Sequence, residues 1–296
     1  MVAPMDTGEE AAAARWGDMD VDCLVEIFRR LPLDDVASAV PLVCRSWRGA
    51  AHDPSLWRAL DLRGGGATAR FMPWSPLAAA FAACYGVRRF SFGGYLRLCV
   101  ARAGGSAVEL TLPPLLVAAP PAPAPELDLV SLRCLALRKV SLPALSAADD
   151  ARLPDVVARW CRLEHLELEH RPASFPATAA RISASCPRFS GLKMAGAIRQ
   201  EDAAAMATSL PLLKHLCLDG CYLPRRELLA IIHGCHELEA LSAKHCVGFD
   251  EGDEEVAREA AMIELFEVGG SRLVDKFDQS DVDDLDDDTS SYVDVM

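Results

Sequence analysis

The apolar and polar residues near the N-terminus have the spacing of short helices. Residues three or four positions apart supply the apolar face of the first helix, namely Leu24, Ile27, Phe28 and Leu31. Asp18 or Asp20 can cap its N-terminus, and Pro32 ends it because a proline ring clashes with the preceding turn. A second helix is predicted from about Asp34 to Ala39, and Pro41 suits the first position of a third. The pattern therefore predicts three short helices in quick succession.

Farther along the chain the pattern changes to a short repeated alternation. Each copy has an apolar residue, two others, a central apolar residue, one other and a third apolar residue. Alternation over five residues predicts a strand with one buried face. The central residues of the copies are Phe90, Leu110, Leu135, Leu166, Leu192, Leu216 and Leu241. Their separations of 20 to 31 residues are close to the spacing of about 20–29 residues that is typical of leucine-rich repeats.

The segments between these strands are rich in alanine, leucine and isoleucine and are predicted to be helical. They span residues 149–161, 177–186, 201–210 and 226–235. Cysteines recur at fixed distances from the central residues, namely Cys84, Cys161, Cys186, Cys221, Cys235 and Cys246. This placement resembles the cysteine-containing leucine-rich repeat, in which a small, weakly polar thiol fills a buried position. We therefore predict structural burial for these cysteines and no redox or metal role.

The helical run near the N-terminus contains four sequence elements in a fixed order. They are Asp22-x-Leu24-x-x-Ile27-Phe28, Leu31-Pro32, Val43-Cys44-x-x-Trp47-Arg48 and Asp53-Pro54-x-Leu56-Trp57. This order resembles an F-box from Trp16 to about Leu62, with Met19-Asp20 where many F-boxes have Leu-Pro. The alternative interpretation is a small helical subdomain whose apolar residues form only its own core.

The F-box resemblance implies docking onto a Skp-type adaptor of a cullin-RING ubiquitin ligase. The residues that it assigns to the adaptor are Leu24, Ile27, Phe28, Leu31, Pro32, Leu42, Val43, Trp47 and Trp57. Some of these residues must form the core of the module itself, and the sequence leaves that division open.

Together, the helical module and the repeats resemble a plant-type F-box/leucine-rich-repeat protein. The implied fold class is α + α/β, a three-helix F-box followed by a short open-arc solenoid of about seven repeats. The predicted organisation is a flexible N-terminus 1–15, an F-box 16–62, a linker 63–80, leucine-rich repeats 81–270 with a proline-rich insertion 117–125, and an acidic disordered tail 271–296. Disorder is predicted for the tail because it has too few apolar residues to offset the entropy of ordering.

The formal net charge of −13 is concentrated at the C-terminal end of the chain. Residues 250–296 hold seventeen acidic and three basic residues, whereas residues 1–249 hold 26 acidic and 27 basic ones. A neutral body without a basic aromatic stripe argues against nucleic-acid binding. No uncharged stretch reaches the ~20 apolar residues of a membrane span, and the acidic N-terminus does not resemble a signal peptide. We expect a cytoplasmic or nuclear protein without membrane contact.

No arrangement of residues indicates bond chemistry or a bound metal. The run from Gly64 to Ala69 fits a phosphate-binding pattern, but Pro73 and Pro76 follow closely and favour a flexible linker. His165 and His215 occupy the same repeat position and could bind a metal or sense pH. No third ligand is evident in the neighbouring repeats, so solvent-facing residues are the preferred interpretation. We predict no catalytic residue, no metal and no cofactor.

Residues that flank each central apolar residue point away from the buried face of its strand. In a solenoid the strands line the concave side, so these residues share one surface. The predicted target-binding residues on it are Arg89, His165, Glu167, Lys193, His215, Cys217 and Ser242. The resemblance thus implies a non-catalytic substrate receptor of an SCF-type ubiquitin ligase. The alternative is an F-box/leucine-rich-repeat scaffold that binds the adaptor without directing ubiquitination.

Overall fold

A computed structural model of the 296-residue chain describes residue 16 and residues 19–63, 68–114 and 124–273. The chain divides into two compact units. The first unit contains residues 1–60 and 66–106, and the second contains residues 61–65 and 107–296. The first unit is mainly helical, whereas the second alternates strands with helices.

The first unit begins with the short helices that the apolar pattern predicts. They are α1 (Val21–Phe28), α2 (Leu33–Ser38), α3 (Val40–Val43) and α4 (Arg45–Ala50), followed by a 3-10 turn (Pro54–Trp57). The carboxylate of Asp20 caps α1 by accepting a hydrogen bond from the backbone N–H of Asp22 at 2.8 Å. This contact confirms one of the two predicted caps, and Asp18 lies outside the described residues. Pro32 is the N-cap of α2.

The predicted third helix is divided into two pieces at Cys44. Pro41 lies in the first turn of α3, as predicted. Cys44 then has an extended backbone, and its sulfur accepts a hydrogen bond from the backbone N–H of Trp47 at 3.5 Å. Cys44 is therefore the N-cap of α4, a role that the sequence analysis did not assign to it.

The first predicted repeat, around Phe90, does not form a strand. The first unit continues instead with α5 (Pro76–Tyr85) and α6 (Phe92–Ala103). The hydroxyl of Ser91 caps α6 by accepting a hydrogen bond from the backbone N–H of Gly94 at 3.1 Å. Phe90 is buried with its ring 5.4 Å from that of Phe81. The strand prediction was wrong because a single apolar triplet also fits the start of a helix, and residues 81–106 belong to the first unit.

The second unit contains parallel strands that pair in sequence order. After β1 (Ala59–Asp61), which spans the division of the units, these strands are β2 (Glu109–Thr111), β3 (Lys139–Leu142), β4 (His165–Leu168), β5 (Gly191–Met194), β6 (His215–Cys217), β7 (Ala240–Ser242) and β8 (Leu265–Glu267). Every neighbouring pair from β2 to β8 is parallel. The aligned central residues are Leu110, Val140, Leu166, Leu192, Leu216, Leu241 and Phe266. Phe266 adds a copy that the sequence analysis did not identify.

A helix connects each strand to the next from β2 onward. These helices are α7 (Pro125–Arg133), α8 (Ala147–Val157), α9 (Phe175–Ser185), α10 (Gln200–Ser209), α11 (Arg225–Gly234) and α12 (Glu254–Glu259). The four predicted helical segments correspond to α8 through α11 and are confirmed to within a few residues. Parallel neighbouring strands joined by helices form a leucine-rich-repeat solenoid, as the fold class predicted. Among the described helices, none has the length and apolar character needed to cross a lipid bilayer.

One predicted strand lies five residues from its true position. The strand β3 centres on Val140, whereas Leu135 is 55% exposed in the turn after α7. The buried triplet is Leu137, Val140 and Leu142, and Leu132 is 59% exposed at the end of α7. The prediction was wrong because Leu137 belongs to both overlapping triplets. Only packing distinguishes the strand from the helix end.

Replacing Leu137 by Ala is expected to lower the free energy of unfolding by about 2–5 kcal/mol, because it opens a cavity in the core. Replacing Leu135 by Ala, two residues away, is expected to change it by less than about 0.5 kcal/mol, because that side chain lies in solvent. Urea unfolding of both variants measures the difference. Equal costs at the two positions would contradict the observed register.

Four of the six cysteines predicted to be buried are buried, namely Cys186, Cys221, Cys235 and Cys246. Burial raises the pKa of the Cys186 thiol to about 11 and that of Cys221 to about 12. Both thiols are therefore protonated near neutral pH and poorly reactive. Cys161 is exposed, contrary to the prediction, because it lies in the turn after α8, and Cys84 is partly exposed on α5.

Several predicted features fall wholly or partly outside the described residues. These are the flexible N-terminus 1–15, the glycine-rich residues 64–67, the proline-rich insertion up to residue 123 and the acidic tail from residue 274. Of the predicted insertion, Pro125 is the first residue of α7.

Candidate functional site

The nine residues that the F-box resemblance assigns to the adaptor fall into two groups. Leu24, Phe28 and Trp57 are buried in the first unit. The indole N–H of Trp57 donates a hydrogen bond to the backbone carbonyl of Ala51 at 3.0 Å, which fixes the ring in this core. The exposed members are Ile27, Leu31, Pro32, Leu42 and Val43. The structure thus shows which of these residues belong to the core and which lie on the surface, a question that the sequence left open.

The exposed members form a concentration of apolar side chains on α1, α3 and the turn after α1. Leu42 is 47% exposed and Val43 is 58% exposed. Single exposed apolar residues are normal, but several within one short segment indicate an interaction surface. Val21, at the start of α1, is also exposed and was missed by the sequence analysis. The sequence signal for Val21 was an apolar residue directly after the aspartate that caps α1.

Trp47, the ninth residue assigned to the adaptor, is partly buried and partly exposed. Its ring packs against the edge of Phe28, with centroids 5.2 Å apart and planes inclined by 62°. Its indole N–H donates a hydrogen bond to the backbone carbonyl of Trp16 at 3.1 Å. Part of the ring remains exposed to solvent, so Trp47 supports the core and also contributes to the surface.

On the second unit, residues that flank the central strand residues line an open groove. The groove crosses β3 to β8 and has a volume of about 400 Å³. It contains every predicted target-binding residue except one, namely His165, Glu167, Lys193, His215, Cys217 and Ser242. Arg89 is the exception, because the strand predicted around Phe90 does not form and Arg89 lies exposed in the loop before α6.

His165 and His215 form a pair above Gly191, which lies between them in the strand register. Their imidazole rings are 6.1 Å apart between centroids, with planes inclined by 27°. A Cβ atom at Gly191 would lie 1.9 Å from Nδ1 of His165, so this ring occupies the space that a side chain would take. Burial and the neighbouring His215 lower the pKa of His165, which favours a neutral ring with one N–H donor at neutral pH. Across the described residues, no group of three or more candidate metal ligands occurs.

Most charged side chains on the strand face are paired with an opposite charge on a neighbouring strand or turn. The ammonium of Lys139 lies 3.0 Å from a carboxylate oxygen of Glu167. The other pairs are Lys244–Glu267, Arg138–Glu164 and Lys214–Glu239. Lys193 is exposed near the middle of the groove, and among the described residues no carboxylate lies within ion-pair distance of it.

Cys217 and Ser242 line the groove beside Asp219. The hydroxyl of Ser242 donates a hydrogen bond to Asp219 at 2.6 Å, and the backbone N–H of Lys244 donates to the same oxygen at 2.9 Å. Burial raises the pKa of the Cys217 thiol. The thiol and the hydroxyl are neutral, and the carboxylate of Asp219 is already hydrogen-bonded. These groups therefore affect the shape of the groove more than its charge.

Two residues of the groove were missed by the sequence analysis. Lys139 has the same position on β3 as His165 has on β4, and it was missed because the register of that strand was wrong. Leu265 is 54% exposed on β8 and extends the groove at its other end. The alternation around Phe266 was the signal for it.

A helical module with an exposed apolar surface, followed by a solenoid of parallel strands and helices, is the architecture expected of F-box/leucine-rich-repeat proteins. Residues 21–63 match the F-box-like family model. F-box domains generally bind Skp-type adaptors. Proteins of this class are generally non-catalytic adaptor subunits of SCF ubiquitin ligases.

Relatives of this chain include F-box proteins of Arabidopsis thaliana. F-box/LRR-repeat protein At3g48880 is 29% identical over 239 residues, which cover 80% of this chain and 74% of the relative. F-box protein SKIP19 is 27% identical over 308 residues, which cover 99% of this chain and 92% of the relative. F-box protein FBW2 is 35% identical over 54 residues, which cover 18% of this chain and 17% of the relative. The chain thus contains an F-box-like domain, and over most of its length it is similar to plant F-box/leucine-rich-repeat proteins.

Proposed function

We propose that this protein is the substrate-recognition subunit of an SCF-type cullin-RING ubiquitin ligase in the cytoplasm or the nucleus. The observation that carries the proposal is the exposed apolar surface of the first unit, formed by Val21, Ile27, Leu31, Pro32, Leu42 and Val43. Burying such a surface against a partner is favourable because each buried CH₂ group contributes about 0.8 kcal/mol. The match to the F-box-like family over the same residues supports a Skp-type adaptor as that partner.

In this mechanism the chain performs no bond chemistry. The apolar surface binds the adaptor, and through it the cullin-RING assembly. The groove of the second unit binds a target protein. Holding the target in the same complex raises the effective concentration of its lysines near the ubiquitin-charged enzyme.

Target recognition centres on the middle of the groove, at His165, Glu167, Lys193 and His215. These side chains lie on adjacent strands β4, β5 and β6 and are at least partly exposed. The buried strand residues beneath them fix their positions. A fixed set of polar groups on a rigid sheet is suited to specific protein recognition.

Reversing both charges, with Glu167→Lys and Lys193→Glu, is expected to abolish target capture and to leave adaptor binding unchanged. Affinity purification from plant cells with the proteasome inhibited, followed by quantitative mass spectrometry, compares the variant with the native chain. A matched control reverses the Lys214–Glu239 pair, with Lys214→Glu and Glu239→Lys, because neither residue lines the groove. The proposal is contradicted if the native chain and the first variant recover the same proteins, or if the native chain recovers no adaptor.

A further inference from the structure

The middle of the groove contains two lysines, Lys139 and Lys193, and one carboxylate, Glu167, so it keeps an excess of positive charge. Lys139 forms an ion pair with Glu167. Lys193 lies opposite Glu167 in the strand register and interacts with the same carboxylate at longer range, and among the described residues no carboxylate lies within ion-pair distance of Lys193. An ammonium group held on a rigid sheet in an open groove is available to a carboxylate from another protein.

Two further donors lie next to this charge. The register places His165 and His215 on the strands that flank the strand of Lys193. Gly191 leaves room for the ring of His165 to lean over the sheet, and the two rings stand nearly parallel. Each imidazole carries at least one N–H donor, so both can supplement a charge-assisted bond to Lys193.

The end of the groove toward β8 is apolar. Its lining there includes Ala240 and Leu265, and Leu265 is more than half exposed although it is a leucine on a strand. The groove therefore combines a cationic centre with an apolar end. Neighbouring strands are about 4.8 Å apart, so β5 and β8 are separated by about 14 Å across the sheet. Leu265 is aligned with Gly191, two residues before Lys193, so the direct separation of Lys193 and Leu265 is about 16 Å.

We propose that the groove binds an extended segment of the target protein that presents one aspartate or glutamate carboxylate to Lys193 and an apolar side chain, four residues away, to Ala240 and Leu265. Four residues of extended chain span about 13 Å, and the long side chain of Lys193 covers the remaining distance of about 3 Å. Side chains separated by an even number of residues point to the same side of an extended chain, so both can face the groove. This inference rests on the proposed function, since it names the chemistry of the target at that site.

The surrounding charges restrict the ligand to one acidic group. Glu167 and Glu267 lie on strands and Asp219 lies in the turn after β6, and a polyacidic segment or a phosphate dianion would meet the repulsion of these carboxylates. The groove is also open along the sheet, so a chain can continue past it. A side-chain carboxylate within a segment therefore fits better than a free C-terminal carboxylate.

The test is a selection from a phage library of random twelve-residue peptides on the immobilised full chain. The native chain is expected to enrich peptides with one acidic residue and an apolar residue four positions away. Lys193→Glu is expected to weaken the binding of these peptides at least tenfold and to change the enriched charge from acidic to basic. Lys214→Glu, the same change at the residue before β6 and outside the groove lining, is expected to retain the original peptides.

Lys193→Gln provides a second variant with no new charge, and it is expected to lose acidic peptides without gaining basic ones. Gly191→Ala is expected to weaken binding as well, because a Cβ atom there displaces the ring of His165. Thermal midpoints equal to that of the native chain show that the variants are folded.

The inference is overturned if the native chain selects no acidic preference, or if Lys193→Glu keeps it. It is also overturned if a synthetic peptide of residues 278–288, a phosphoserine peptide or a peptide with only a C-terminal carboxylate binds tighter than the single-acid peptide. Adaptor co-purification is measured on the same samples. Adaptor binding without acidic selection would reject the ligand chemistry alone, whereas loss of adaptor binding by the native chain would reject the proposed function.

Discussion

A chain with Leu42→Glu and Val43→Glu is expected to lose co-purification with a Skp-type adaptor, with a fall in affinity of about 100-fold or more. Both side chains are exposed on α3 and contribute little to the core of the first unit. Two carboxylates at these positions would have to be buried without partners in an apolar interface, which is strongly unfavourable. Co-expression with the adaptor, followed by affinity purification and a binding titration, measures the loss.

The matched control places the same two charges on exposed leucines of the second unit, with Leu132→Glu and Leu135→Glu. These leucines are as exposed as the F-box pair but lie outside residues 21–63. We expect the control to bind the adaptor as the native chain does. Retained adaptor binding by the folded Leu42/Val43 variant would show that the apolar surface of α3 does not dock the adaptor.

Replacing Arg171 by Met is expected to lower the free energy of unfolding by about 3–5 kcal/mol, because it leaves a buried carboxylate without its cation. The Nε group of Arg171 donates to Asp202, whose side chain is fully buried. The same carboxylate oxygen accepts a hydrogen bond from the backbone N–H of Arg199 at 2.9 Å. The interaction joins the turn after β4 to α10, and so it holds the strands that carry the middle of the groove.

Arg181→Met is the control for this substitution. Arg181 lies 3.4 Å from Asp155, and both side chains are more than half exposed. Exposed ion pairs contribute about 0–1 kcal/mol, so we expect little change. Chemical denaturation of the two variants tests the comparison, and equal stability of both would mean that the buried pair does not hold the repeats together.

The repeats show which parts of the fold the sequence could predict. Leu166, Leu192, Leu216 and Leu241 were identified as central strand residues, and all four are buried on paired strands. Each is preceded by a predicted helical segment and by an earlier copy of the triplet, so the pattern before each of them supports the prediction. Phe90 is the first copy, with no copy and no predicted helical segment between strands before it, and the residue belongs to the helical first unit.

The candidate site was predictable to a similar extent. Once a strand is placed correctly, alternation determines which side chains face the groove, and this identified His165, Lys193 and His215. The unpaired state of Lys193 was not predictable, because ion pairs between strands depend on side-chain positions more than 20 residues apart in the sequence. The same holds for the contact between His165 and Gly191.

The sequence by itself determined the order of an F-box and a leucine-rich-repeat solenoid, because both consist of local patterns whose spacing sets the helices and strands. It also determined which face of each well-placed strand is buried. Only the tertiary structure decided that Leu24, Phe28 and Trp57 are core while Leu42 and Val43 remain exposed. Apolar residues on a short helix look alike in sequence, and burial is decided by which neighbouring helix covers each side chain.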